Sequence, residues 1–565
     1  MNSIHQFRIP WSINKIILMR YKVSINASLK KFYQILRLDR KDISAIYAFA
    51  IIAGVVQLSL PLGIQTIISF VMAGSISTSI VVLILLVVFG TFLNGLLQVR
   101  QLEIIEKLKQ KIFLRYGLEF SDRLPRLNNE KLDNYYLPEL VNRFFDTISF
   151  QKGLEKLLLE LPAAIIQILL GLMLLSFYHP VFIGFGIMLL FILTLILYFT
   201  SPQGLALAMQ SSDYKYQVAA WLQETARVVN SFKYSKSELH VTKTDRIIGN
   251  HLDARTSYFK ILLVQFWSLI SFKIIVTAAM LIVGTVLLVN QQINVGQFIA
   301  ADIVIITIIG SVEKLIVSLD KVYDALVSIE KLGKITEAET ETGGSLFLEN
   351  IRQGVSIQFI NTNFTYPDGN KILNDVNFNI NAGQLAYITG ASGSGKSTLL
   401  RLLTGAYKNY DGIILVNEQP IDNYSLQSLR NSTSVLLNNQ DIFHGTLWEN
   451  ITMGNGVITL EEVTDLVKKF GLISFVQSDK LGYDLLLDPV GKRLSKQTKQ
   501  KILLIRALLG NHRLMLLEEP FEYLDEITAK ALMDYLKMLQ NTTVLIASDD
   551  IHLSKEFNMV IQLEK

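Results

Sequence analysis

The residues best suited to chemistry in this 565-residue chain form one run, Gly390-Ala-Ser392-Gly393-Ser394-Gly395-Lys396-Ser397-Thr398. An apolar, strand-like stretch precedes it and a helical one, beginning Leu399-Leu-Arg-Leu-Leu, follows. Glycines at this spacing let successive backbone N–H groups turn inward around a phosphate chain. Lys396 would reach the β and γ oxygens, and Ser397 would hold a magnesium ion. The plain alternative is a glycine-rich turn that binds nothing; the strand–loop–helix context argues against it. Farther along, Leu514-Met-Leu-Leu-Glu518-Glu519-Pro520 reads as an apolar strand ending in two carboxylates. Beside a phosphate loop, Glu518 would orient magnesium and Glu519 would polarise an attacking water.

The elements that position these groups divide by composition. Half of the residues are hydrophobic and only 18% are charged, whereas a soluble chain carries about a quarter charged residues. The deficit lies before residue 320, in six apolar stretches near 43–73, 79–99, 156–177, 180–200, 261–289 and 296–318. Each approaches or exceeds the ~20 residues a helix needs to cross a bilayer. Leu60-Pro61-Leu62-Gly63 interrupts the first and predicts a kink. The connections near 74–78, 178–179 and 290–295 hold no Lys or Arg, while the first 41 residues and the stretches 100–155 and 201–260 are rich in them. Because Lys and Arg stay on the cytoplasmic side, both long connections and both termini are expected inside. The run starting at Ser28 predicts an amphipathic helix, either on the inner membrane surface or as an extension of the first span. Lys273, Asp302 and Glu313 fall within spans, where ionisable groups either line a path or pair with one another.

A polar, glycine-ended stretch at 336–345 reads as a linker. The expected organisation is a cytosolic segment over 1–41, an all-α six-helix transmembrane domain over 42–335, that linker, and an α/β nucleotide-binding domain over 346–565. The net charge of +4 is too small to argue for nucleic acid. With no cysteine, disulfides, thiolate metal sites and cysteine nucleophiles are excluded. No signal peptide is expected, since the start is polar and basic.

Six spans, a phosphate loop, Leu494-Ser495 and then Glu518-Glu519-Pro520 together resemble the ATP-binding cassette exporters over nearly the whole chain. The segment ending Ser328-Ile-Glu-Lys-Leu-Gly-Lys334 is most similar to the exporters of type I protein secretion, without the amino-terminal peptidase-like domain that many of those carry. The resemblance implies two chains, in a homodimer or a heterodimer with another half-transporter, that sandwich ATP and Mg2+. The phosphate loop of one would face the signature loop, at Ser495, of the other. It also implies that Tyr366 stacks on adenine, with packing as the alternative role, and that Asp525 meets the partner subunit. A bacterial inner membrane and a periplasmic adaptor are further implications.

Several positions depart from the family pattern. Its signature Leu-Ser-Gly-Gly-Gln is here Leu494-Ser495-Lys496-Gln497-Thr498, so side chains stand where glycines let backbone approach the γ-phosphate. The coupling glutamine aligns with Asn438, with Gln440 two residues on as a substitute near the metal. The switch histidine aligns with Ser548, and the usual aspartate before the catalytic glutamate is the longer Glu518. Protein or peptide export with weak or partner-dependent hydrolysis is the expectation. A regulatory ATP-binding subunit and a lipid or small-molecule exporter stand as alternatives.

Overall fold

A computed structural model describes residues 25–74, 78–128, 130, 137–348 and 353–564; the predicted cytosolic segment before residue 25 lies outside them. The chain divides into two compact units, one comprising residues 1–125 and 135–338, the other 126–134 and 339–565. Within the second unit Asn128 N–H donates to Glu339 O (3.0 Å) and Glu341 N–H to Arg126 O (2.7 Å), whereas the sequence division counts 126–134 with the membrane half.

Among the described residues of the first unit, six helices are long and apolar enough to cross a membrane. The short helix α1 (Ile25–Leu36) buries Ser28, Phe32 and Leu36 and exposes Leu29 and Tyr33, the i, i+4, i+8 stripe of an amphipathic helix. α2 (Arg40–Gln57) and α3 (Ser59–Met72) form one interrupted span. The break at Leu58 has a simple cause: Pro61 has no N–H to give the carbonyl of Gln57 and its ring crowds that oxygen. α4 (Thr78–Arg123) continues for 46 residues, ~69 Å at 1.5 Å per residue, well past the bilayer thickness. Leu85 and Phe89 on it are 63% and 62% exposed, an apolar surface that lipid would cover. The longer helices that follow are α5 (Asp146–Glu155), α6 (Leu161–Tyr178), α7 (Val181–Arg227), α8 (Leu239–Val289) and α9 (Val295–Thr336). α9 is the central element. It opens on a capping box between Asn294 and Gln297 and buries Ala300, Ala301, Val304, Ile305, Ile308 and Val312. Of the three intramembrane ionisable residues, Lys273 on α8 pairs with Glu313 on α9 at 2.7 Å, and Asp302 takes no part in that pair.

Among its described residues the second unit holds two larger sheets and a two-stranded ribbon of Gly445–Thr446 with Leu486–Leu487. β1 (Ile357–Thr365), β2 (Lys371–Ile380), β4 (Tyr410–Val416) and β5 (Gln419–Pro420) pair antiparallel in the order β2-β1-β4-β5. β3 (Leu385–Gly390), β6 (Thr433–Leu436), β7 (Leu514–Glu518), β8 (Thr543–Ala547) and β9 (Met559–Leu563) form a parallel sheet, β9-β3-β8-β7-β6. Every residue of β7 and β8 is buried, as expected of strands covered on both faces. α10 (Lys396–Leu403) buries Leu399, Leu400, Leu402 and Leu403 in the same apolar cluster as Phe359, Ile414, Leu516 and Leu545, which joins the two sheets. In the register of the parallel strands Ala547 faces both Ile388 and Glu518. β7 and β8 therefore end level, β3 runs two residues further to Gly390, and the loops that follow the three strands meet.

Candidate nucleotide site

Ligands of open parallel sheets bind beyond the carboxyl ends of the strands, and there the candidate residues converge on a cleft of about 700 Å³. β3 delivers the loop 391–395 into α10. Gly393 and Gly395 have φ of +83° and +94°, the left-handed region that favours glycine. A Cβ on Gly395 would also lie 2.5 Å from Leu373 Cδ2, so both conformation and packing demand glycine there. Gly390 closes β3, Ser392 and Gly393 line the cleft, and the hydroxyl of the buried Ser394 has no partner among the described residues. Lys396, 8% exposed, donates to the carbonyls of Gly390 (2.8 Å) and Ala391 (3.2 Å) and pairs with Asp549 Oδ1 at 2.6 Å.

Around the end of β7 the buried Glu518 is fully engaged. It accepts from the Ser397 hydroxyl and from both the backbone N–H and the side-chain amide of Asn438, each at 2.9 Å. Asn438 reaches it because β6 and β7 pair in register, Leu436 opposite Leu517. Gln440, two residues on, turns back on its own loop, its N–H donating to Leu437 O at 2.9 Å, and is absent from the cleft lining. Glu519 holds a left-handed backbone (φ +46°), uncommon for a residue with a Cβ. Its N–H donates to Ala547 O at 2.8 Å. Its carboxylate accepts from the Ser548 hydroxyl (2.6 Å) and the Asp549 N–H (2.7 Å). Burial pushes the Glu519 carboxyl above the ordinary range, and the Ser548 hydroxyl partly offsets that.

Three further sequence-predicted residues lie outside the cleft lining. Tyr366 packs edge-on against Phe364 and Tyr407, with centroids 4.9 and 5.6 Å away, and its hydroxyl bonds Thr398 Oγ1 at 3.0 Å. Ser495 caps α11 (Lys496–Leu508), accepting from Thr498 N–H at 3.0 Å. Asp525 caps α12 (Glu526–Met538), accepting from Thr528 N–H at 2.9 Å. That bond and the Lys501 ammonium hold its carboxyl well below the usual carboxylate range. The side chains that replace the signature glycines are both engaged within the chain. Lys496 stands 4.8 Å over the Tyr523 ring, and Gln497 donates to Asp525 Oδ2 at 2.7 Å.

The cleft fits a nucleoside triphosphate. It offers a glycine-rich loop leading into the start of α10, a buried lysine, and a volume within the ~300–1,000 Å³ typical of ligand pockets. It also fits magnesium, because Ser397 and Glu518 set two hard oxygen donors side by side. Among the described residues no cluster of three His, Cys, Asp or Glu could hold a metal alone, so the ion would depend on phosphate oxygens. Among the described residues Lys396 is the only cation lining the cleft, against Glu518, Glu519, Glu522, Asp549 and Asp550. Asp549, which pairs with Lys396, is not among the residues the sequence singles out.

Comparison with known proteins agrees with this geometry. Residues 43–312 match the family described as ABC transporter transmembrane region, and residues 373–522 match ABC transporter. The chain is 28% identical over 353 residues to the alpha-hemolysin translocation ATP-binding protein HlyB of Escherichia coli O157:H7, covering 61% of this chain and 49% of that one. It is 28% identical over 291 residues to the beta-(1→2)glucan export ATP-binding/permease protein NdvA of Agrobacterium fabrum, covering 50% and 49%. The match thus spans about half the length of these curated relatives. The fold is that of a bacterial Atm1-family ABC exporter solved with ATP bound, with a TM-score of 0.79 over 93% of each chain at 18% identity. This chain belongs to the ATP-binding cassette transporters, an integral membrane protein with transmembrane and ATP-binding domains fused in one polypeptide.

Proposed function

We propose that this chain is one half of an ATP-driven exporter of protein or peptide cargo, with its ATP-binding domain in the cytoplasm and with slow or partner-dependent hydrolysis. The observation that carries the reading is the convergence of Lys396, Ser397, Glu518 and Glu519 on one cleft at the carboxyl ends of the parallel strands. Lys396 would hold the β and γ oxygens. Ser397 and Glu518 would hold magnesium, which when bound neutralises charge on those oxygens, and Glu519 would orient the attacking water. The inside-positive charge pattern supports the orientation, and the likeness to HlyB supports protein cargo. NdvA, a glucan exporter by name, keeps a non-protein cargo as the alternative.

Slow hydrolysis follows from electrostatics. Ser548 bonds Glu519 where the family's histidine meets the γ-phosphate. Lys496 and Gln497 are committed to Tyr523 and Asp525 where the family's glycines meet a partner's nucleotide. Each such lost contact costs about 100- to 1,000-fold. These two observations also favour a second reading, a subunit that binds ATP as a structural ligand in complex with a competent partner. Turnover by the full chain in lipid, beside Glu519→Gln, tests the choice. Turnover that vanishes in the variant supports an autonomous exporter; background turnover in both, with nucleotide still bound, leaves the second reading.

A further inference from the structure

From the contacts of Lys396 we infer that Asp549 stands where a terminal phosphate would sit and makes the site discriminate against the triphosphate relative to the diphosphate. The inference rests on the nucleotide-binding reading above. A lysine ammonium has three protons to donate, and here the acceptors are Gly390 O (2.8 Å), Ala391 O (3.2 Å) and Asp549 Oδ1 (2.6 Å). The first two belong to the phosphate loop itself. The third comes from the loop after β8, more than 150 residues away in sequence, and is the one an incoming phosphate must displace.

Displacement would not send the carboxylate far, because its backbone is pinned on three sides. Ser548 N–H donates to Ile388 O at 3.1 Å, Asp549 N–H donates to Glu519 Oε1 at 2.7 Å, and the Tyr387 hydroxyl donates to Asp550 O at 2.5 Å. A terminal phosphate drawn to Lys396 therefore shares one cation with a carboxylate held nearby, in a cleft already lined by Glu518, Glu519 and Glu522. A diphosphate lacks that terminal group and meets less of the repulsion. The Asp549 side chain is 60% exposed, so solvent screens the effect and keeps it modest.

The test is titration of the full chain in lipid nanodiscs with fluorescent analogues of ATP and ADP, magnesium present. Asp549→Asn should tighten ATP roughly fivefold and ADP less than about twofold. Asp549→Glu, which keeps the charge, should stay near the native ratio of affinities. Equal shifts for both nucleotides in Asp549→Asn, or no shift while the native chain binds, overturn this inference and leave the nucleotide site standing. No binding by either the native chain or Asp549→Asn overturns both.

Discussion

Around Lys396, every element a triphosphate needs is in place: glycines at left-handed φ, a helix start, a buried ammonium and the Ser397–Glu518 oxygen pair. Around Lys496, an equally well-formed helix start has been closed on itself. Ser495 caps α11, Lys496 lies over Tyr523, and Gln497 and Lys501 both reach Asp525. The two regions belong to one unit and share a contact, since Gln500 of α11 donates to the Glu519 carbonyl at 3.1 Å. The difference teaches that binding and hydrolysis have separate structural requirements here. On the proposed reading, binding rests mainly on one strand–loop–helix, with Asp549 tuning it from the loop after β8, while hydrolysis also needs groups from the signature and switch loops, which depart from the family pattern.

The sharpest way to break this comparison is Lys396→Ala, which should weaken ATP binding by about 100-fold or more in the same titration. Binding near the native level would mean that the phosphate-loop side is no more intact than the signature side. Next comes Ser548→His. If the switch position limits turnover, restoring a donor near the γ-phosphate should raise the rate by about 10-fold or more with little change in ATP affinity. An unchanged rate would move the limitation to Lys496 and Gln497.

How much of this was legible beforehand follows the range of each interaction. The spans were visible because lipid exposure leaves long apolar runs, and the phosphate loop because its geometry is written in consecutive residues. Glu518 and Glu519 were visible as a strand end, yet their partners were not. Ser397, Asn438 and Ser548 meet them only through the register of β3, β6, β7 and β8. The choice between Asn438 and Gln440 turned on the direction of one turn, which composition does not encode. Glu130 was harder still to read, since it lies in a charged connection of the membrane half by sequence. In the structure Glu130 caps the N–H of Asn409 at 3.0 Å and that of Lys408, an assignment for which a lone glutamate offers no periodic signal. Tyr366 carries both a stacking and a packing reading in the sequence, and the edge-on placement of Phe364 and Tyr407 against it could be seen only in the fold.

The smallest effect probes how firmly the signature side is closed. Asp525 caps α12 and gathers Gln497 and Lys501, so Asp525→Ala should cost about 1 kcal/mol, the usual worth of an N-cap. Because the folded carboxyl is held below its ordinary value, the cap's contribution is fully present above the unfolded value of about 4. It is lost as pH falls through the lower folded value. Thermal unfolding of the native chain and the variant should therefore differ at pH 7 and converge as the pH is lowered below about 4. Releasing Gln497 and Lys501 also frees the start of α11, so the variant offers a second reading on turnover. A gain in ATPase rate would mean that closure by Asp525, rather than the missing glycines alone, holds the signature segment out of use.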